Sequence, residues 1–556
     1  MAQQQNITIA APAFFGLNTQ DSPITQSPNF AKVAEHAVVD RYGRIGARKA
    51  MALSSTTIPN ETPPAGQTYE YIINVTQRVN VNGTWWILCA GQRNEIADAD
   101  GSVTSVVSQM YRYDLDTNTL ALMTVPAVND STTLSRATLV PFNDKAYVMS
   151  STNEMLVFDG TMTLKLISTE AGYIGIDNTT APTPTGGVGA YGRLWYFGHG
   201  GDDQTLYYSD LLIAASAYDP GGIDPLSTAG KIDVREYWPQ GQDSIVSVAA
   251  HNNLLIIFGR QSVLLWGNPQ GDPAAVGGIY LADTVANIGC IAEGSVVNTG
   301  NDVLFLDDTG VRSLGRTIQE QSAPIGDITK NVRDDVRELI RSTVDPRTIR
   351  MTYAPDESFV LLIFGEKNMV FCLDMRSPLE DGAARVTTWP GVMVNDAAFL
   401  ESGSEEGTLF FGSSVGVGML KYDDTYLEYT GSPYLFRYYS HPLTFGDPAR
   451  LKFVKQADFT VVSSLTDTNG FVKWAQNYSD AYKSRQIVIT AGQADYWGDG
   501  EFNNASYLES DARIKRYKVN TTGSGEAISV GLEVEIDGTA ASLQEINIQA
   551  LLGRII

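Results

Sequence analysis

The chain has 556 residues, 43% of them apolar and 18% charged, with a net charge of −24 at pH 7. That length exceeds one ordinary core and implies two or three domains. The acidic excess excludes a protein that grips nucleic acid through its phosphates, though not one past which DNA slides.

The opening MAQQQNITIA has neither the basic nor the apolar region of a secretory signal, so no leader is expected. No apolar run approaches the roughly 18 residues of a membrane helix. Residues 1–40 are polar and weakly periodic, which reads as an irregular arm lying along a neighbouring subunit or another protein. The arm ends in a basic knot, Arg41, Arg44, Arg48 and Lys49. The three arginines are candidates for subunit or adaptor contacts through acidic turns, within the chain or across to a neighbour.

From there the chain repeats one phrase: an apolar strand, a polar turn, a second strand. It begins with TWWILCAG at 84, KAYVMSS at 145, RLWYFGHG at 193, NLLIIFGR at 253, DVLFLDDTG at 302, SFVLLIFG at 358 and GTLFFGSS at 407. The steps of 48 to 61 residues leave room for four strands per unit, the signature of a β-propeller of six or seven blades. Such a ring lets each blade bury both faces against its neighbours.

Inside this region SAPIGDITKNVRDDVRELIRSTVDP carries a helical period at Ile328, Val332, Val336 and Leu339. A helix is predicted over 327–342, capped by Asp327, stopped by Asp345-Pro346 and packed on its own propeller. After Asp424 the texture changes to long alternating strands at 451–464, 485–492, 514–538 and 543–556, which predict a sandwich-like C-terminal β domain. The expected domains are 1–50 (arm and entry), 51–432 (propeller) and 433–556 (C-terminal β domain).

No residue pattern carries legible chemistry. His36, His199, His251 and His441 lie far from one another and from Cys89, Cys290 and Cys372, so no zinc signature exists. The cysteines sit in apolar strands and read as buried free thiols. The acid-rich turns at 97–102, 465–471 and 496–502 offer too few oxygens at calcium spacing. No nucleophile elbow, phosphate loop or dinucleotide fingerprint occurs. The expectation is no cofactor, no metal and no enzyme.

The two ends carry a resemblance. FGLNTQDSPITQSPNF…AVVDRYGRIGARK, with Gly16, Leu17, Asn29, Phe30, Gly43, Arg44, Ile45 and Arg48, resembles the opening of tail nozzle proteins of short-tailed bacteriophages, the group also called tail tubular protein B or packaged-DNA stabilization protein. SLQEINIQALLGRII, with Gly553 and Arg554, is similar to the closing strand of that group, and 438–461 to the start of its C-terminal domain. The resemblance covers about a third of the chain. It implies a structural virion protein, made in the bacterial cytoplasm, that forms a hollow homohexamer beneath a tail adaptor and beside tail fibre proteins. Double-stranded DNA would pass through the ring without specific binding. On that reading the polar loop 494–510 holds the channel-gate candidates Trp497, Asp499, Glu501 and Tyr507. The alternative is a tail-associated propeller that binds or cleaves carbohydrate.

Overall fold

The computed structural model describes residues 3–24, 26–40, 42–54, 62–127, 131–170, 180–211, 229–271, 278–320, 327–401, 407–415, 418–463, 467–490 and 513–555. Four of its hairpins turn on two residues with positive φ: Asn82 and Gly83, Asn143 and Asp144, Tyr191 and Gly192, Asn252 and Asn253. Paired left-handed residues match the right-handed twist of antiparallel strands, and Asn, Asp and Gly tolerate that backbone best. Each of these turns joins the first two strands of a sheet. The strands are Gln67–Val81 and Thr84–Ala97, Thr138–Phe142 and Lys145–Met149, Gly186–Ala190 and Arg193–Phe197, and Ile245–His251 and Leu254–Gly259.

The chain is a β-propeller fused to a second β domain. Among the described residues the propeller has seven sheets, six with four strands and one with three. The three-stranded sheet is the fifth, Val296–Asn298, Val303–Asp307 and Gly310–Ser313, which runs into a short helix, α1 (Leu314–Glu320), that the sequence pattern does not predict. Seven apolar clusters fill the seams between consecutive sheets. The last packs Ala398, Leu400, Phe410 and Met419 of the seventh sheet against Tyr71, Ile87, Tyr111 and Tyr113 of the first. A seam for every sheet means that the ring is closed. The seventh sheet is completed from the other end of the chain: Ala50–Leu53 pairs with Met419–Asp423, Leu53 opposite Leu420 and Ala50 opposite Asp423. This strand covers an edge that would otherwise be open.

The predicted helix is α2, Arg333–Ser342, after a 3-10 turn at Lys330–Val332. It starts later than 327 because Asp327 does not cap it. The Asp327 carboxylate is fully buried, accepts from the amide and hydroxyl of Thr329 at 2.9 Å, and pairs with Arg333 Nε at 2.8 Å. Ile328, Val332 and Val336 are buried in the seam between the fifth and sixth sheets, with Leu339 and Ile340 at its rim. The helix therefore packs on its own propeller.

The second domain is a sandwich of two sheets around one core. One sheet holds Ala37–Val39, Ile45–Ala47, Ala541–Ile555, Arg450–Ser463 and Arg513–Asn520, with Gln3–Ala10 paired to the C-terminal strand. The other holds Ala31–Glu35, Tyr434–Ser440, Ile528–Ile536, Thr468–Gln476 and Lys483–Ile489. It is continuous with the sixth propeller sheet, because Ala31–Glu35 also pairs in parallel with Arg385–Pro390.

This corrects two expectations. The arm is irregular only between Ala11 and Phe30, and it lies on its own chain: Leu17 N donates to Val386 O at 2.8 Å, and Thr19 N to Asn331 O at 2.9 Å. The boundary expected at residue 50 cuts a single folding unit, since Ile9, Ala34, Ala37 and Ile45 belong to the same core as Phe459, Val530 and Ile546.

Candidate functional site

The basic knot is used inside the chain. Arg44 turns back on its own hairpin, its Nε 2.7 Å from Asp40 Oδ2, and stacks on Tyr42. Arg48 is 3% exposed. Its guanidinium pairs with Glu428, donates from Nη1 to the carbonyl of Lys49 at 2.8 Å and from Nε to His36 Nδ1 at 3.2 Å, and lies 4.3 Å from the Tyr434 ring centre. Lys49 pairs with Glu357 at 2.6 Å. These contacts bridge the closing strand, the sixth sheet and the sandwich, beside a seam cavity of about 690 Å³. Burial, then the charges of Arg48 and Arg437, hold His36 down to about 3, so its ring stays neutral and accepts from Arg48. Arg41 and the gate candidates Trp497, Asp499, Glu501 and Tyr507 lie outside the described residues.

A site that no catalytic or ligand-binding motif marks lies on the propeller axis. The innermost strands of all seven sheets line a cavity of about 440 Å³. Three of those strands bulge, between Ile73 and Val75, Ile245 and Ser247, and Val394 and Asp396. A bulge re-aims the following side chain, and the third one turns Asp396 into the cavity wall. Asp396 is 6% exposed; its Oδ2 accepts from Thr76 N at 2.8 Å and its Oδ1 from Ala397 N at 2.9 Å. Burial raises this carboxyl above its ordinary range, against the lowering influence of Arg350 and these amides.

Glu293 enters from the turn before the fifth sheet. One oxygen accepts from Thr138 Oγ1 at 2.7 Å. Burial pushes Glu293 up to about 7, despite the Thr138 hydrogen bond and the Arg350 charge. Glu293 is half-buried by area, and it lines both the axial cavity and a neighbouring pocket beside Arg136 and Arg347. Near neutral pH it therefore exists both as an acid able to donate and as a carboxylate able to accept. Arg350, from the sixth sheet, acts on both acids through its charge, without an ion pair to either. Its Nε is buried, and among the described residues nothing hydrogen-bonds its guanidinium.

Two glycines make the room. A Cβ on Gly186 would sit 1.8 Å from Glu293 Oε1, and one on Gly294 would sit 2.4 Å from Arg350 Cδ and Nη1. The inner strand GGVGA at 186–190 is the one sequence signal that points here, because glycine inside a strand marks close approach by something else. Chemically the site offers a guanidinium bonded to no described acceptor and two carboxyl groups that burial holds above their ordinary range, Glu293 at about 7. Among the described residues no group of three His, Cys, Asp or Glu side chains is placed to hold a metal ion, and no helix is long and apolar enough to cross a membrane.

No family model and no curated protein matches the chain. Solved structures do. One described as YCF48 bound to D1 peptide is 10% identical with a TM-score of 0.33, over 66% of this chain and 97% of that one. The periplasmic gluconolactonase of Pseudomonas aeruginosa is 12% identical with a TM-score of 0.31, over 56% of this chain and 83% of that one. A family 43 arabinoxylan arabinofuranohydrolase from Bacillus subtilis is 9% identical with a TM-score of 0.25, over 87% of this chain and 96% of that one. At these identities the likeness concerns the fold alone. It does correct one expectation: a lactonase and a glycoside hydrolase stand among the similar structures, so the reading that the chain is not an enzyme is withdrawn.

Proposed function

We propose that the chain is the subunit of a bacteriophage tail nozzle, a homohexameric ring that holds the packaged genome and conducts it outward at ejection. The observation that carries this reading is where the two resembling sequence phrases meet. Ile45–Ala47 pairs with the C-terminal strand, Gly46 opposite Ser542 and Ile45 opposite Leu543, and Gln3–Ala10 pairs with the same strand along its whole length. The glycines of the opening phrase have structural work at that junction. Gly43, at φ +75°, would drive a Cβ to 2.6 Å from the Phe14 ring, and Gly16, at φ +78°, would drive one to 2.5 Å from Val386 N. The phrases thus form one unit that ties both chain ends to the propeller, as a subunit under the pressure of packed DNA requires.

Charge supports the same reading. A net −24 per subunit repels phosphates and lets a duplex slide without the salt-dependent grip of lysine and arginine. Six such subunits need local complementarity at their contacts, and the ring would sit between a tail adaptor and the tail fibres. The test is genetic. Particles assembled without this chain should package DNA and then lose it. Particles that keep their genomes and infect normally would overturn the proposal.

A further inference from the structure

We propose that the axial cavity of the propeller binds a neutral polyhydroxylated molecule of mono- to disaccharide size. This is independent of the ring proposed above and needs no assembly. The cavity volume of about 440 Å³ falls within the ordinary range for small-molecule sites, roughly 300–1,000 Å³. Its wall is built rather than accidental. Arg350 lines it, packed against Gly294, and no described residue accepts from its guanidinium; its Nε is shut off from the cavity, which leaves the terminal nitrogens as the donors a ligand could meet.

The arrangement of charge selects the class of that ligand. An anion drawn to Arg350 would also meet Asp396 and Glu293, two acids for one guanidinium. A cation drawn to the acids would meet Arg350. A neutral polyol meets neither penalty, and each hydroxyl both donates and accepts. Its acceptor oxygens suit the free Arg350 donors, and its O–H groups suit the Asp396 and Glu293 oxygens. The innermost strands add to this, since each pairs on one side only and turns its other edge toward the axis.

The test uses the purified full chain and equilibrium titration by calorimetry or ligand-observed NMR. The probes are glucose, galactose, mannose and maltose, with gluconate and glucosamine as charged counterparts. Saturable binding of at least one neutral sugar is expected, weakened about tenfold or more in Arg350→Met, the scale for losing a hydrogen bond from a charged donor. The melting temperature of the variant should stay close to that of the parent. Should Arg350→Met fail to fold, Arg350→Lys keeps the charge and loses the planar fork, and a comparable weakening is expected. Absence of saturable binding to every neutral sugar would overturn the inference. So would tighter binding of gluconate or glucosamine than of glucose, or wild-type affinity in a folded Arg350 variant.

Discussion

Replacing Arg48 by methionine should weaken the junction between propeller and sandwich more than any surface change. The side chains of Arg48 and Glu428 are 3% and 9% exposed, so their ion pair is cut off from solvent. Methionine fills much of the volume, but it removes the partner of the Glu428 carboxylate, the donor to Lys49 O and the contact to His36. Glu428 is then left with one amide, Met51 N, at 3.4 Å. Breaking a buried pair from one side costs about 3–5 kcal/mol, most of it the burden of an unpaired charge. Urea unfolding followed by circular dichroism should show that loss. Glu428→Gln in the same chain removes the orphan charge and should recover part of it, so the double variant is more stable than Arg48→Met alone. A loss under about 1 kcal/mol, the value of an exposed pair, would refute the reasoning, as would a double variant no better than the single one.

Val336→Asp places a charge in the seam between the fifth and sixth sheets, where Val336 has no exposure, and should cost a few kcal/mol in the melting curve of the isolated subunit. His36 is held down to about 3 in the fold and takes a proton near 6.5 when unfolded, so its contribution is present above pH 6.5 and lost as pH falls toward 3, at up to about 1.4 kcal/mol per pH unit. The stability advantage of the parent over His36→Asn should therefore shrink between pH 7 and pH 5; Asn suits the positive φ of 50° at this position. Glu293, held up to about 7, works the other way, its contribution lost as pH rises from 4.5 toward 7. Cys89, Cys290 and Cys372 are free and buried, with their thiols pushed up by burial, Cys290 to about 11, so a thiol reagent should label none of them until the chain is unfolded.

The propeller was legible because its information is local. A period-two strand, a two-residue turn rich in Asn and Gly and a second strand lie within about twenty residues of one another, and the repeat counts the sheets. The α2 stripe was legible for the same reason, although its start was not. Asp327 looks like a cap in sequence, but in the fold its carboxylate serves Thr329 and Arg333. The sandwich was half legible. Its C-terminal strands alternate plainly, whereas Gln3–Ala10 is a mostly polar strand that only Ile7 and Ile9 tie to the core and that pairs with the far end of the chain. No local pattern encodes such a partner. The axial site was legible only in the glycines of the inner strand at 186–190, because Glu293 comes from a turn, Arg350 and Asp396 from two different sheets, and each is ordinary in its own stretch of sequence.

The most direct test of the proposed role is electron microscopy of the purified chain in negative stain. A nozzle subunit should yield class averages of a hollow ring with six-fold symmetry, each segment showing one propeller disc joined to one smaller sandwich. Single discs with an attached sandwich at every concentration, or rings of another symmetry without an open centre, would contradict the account.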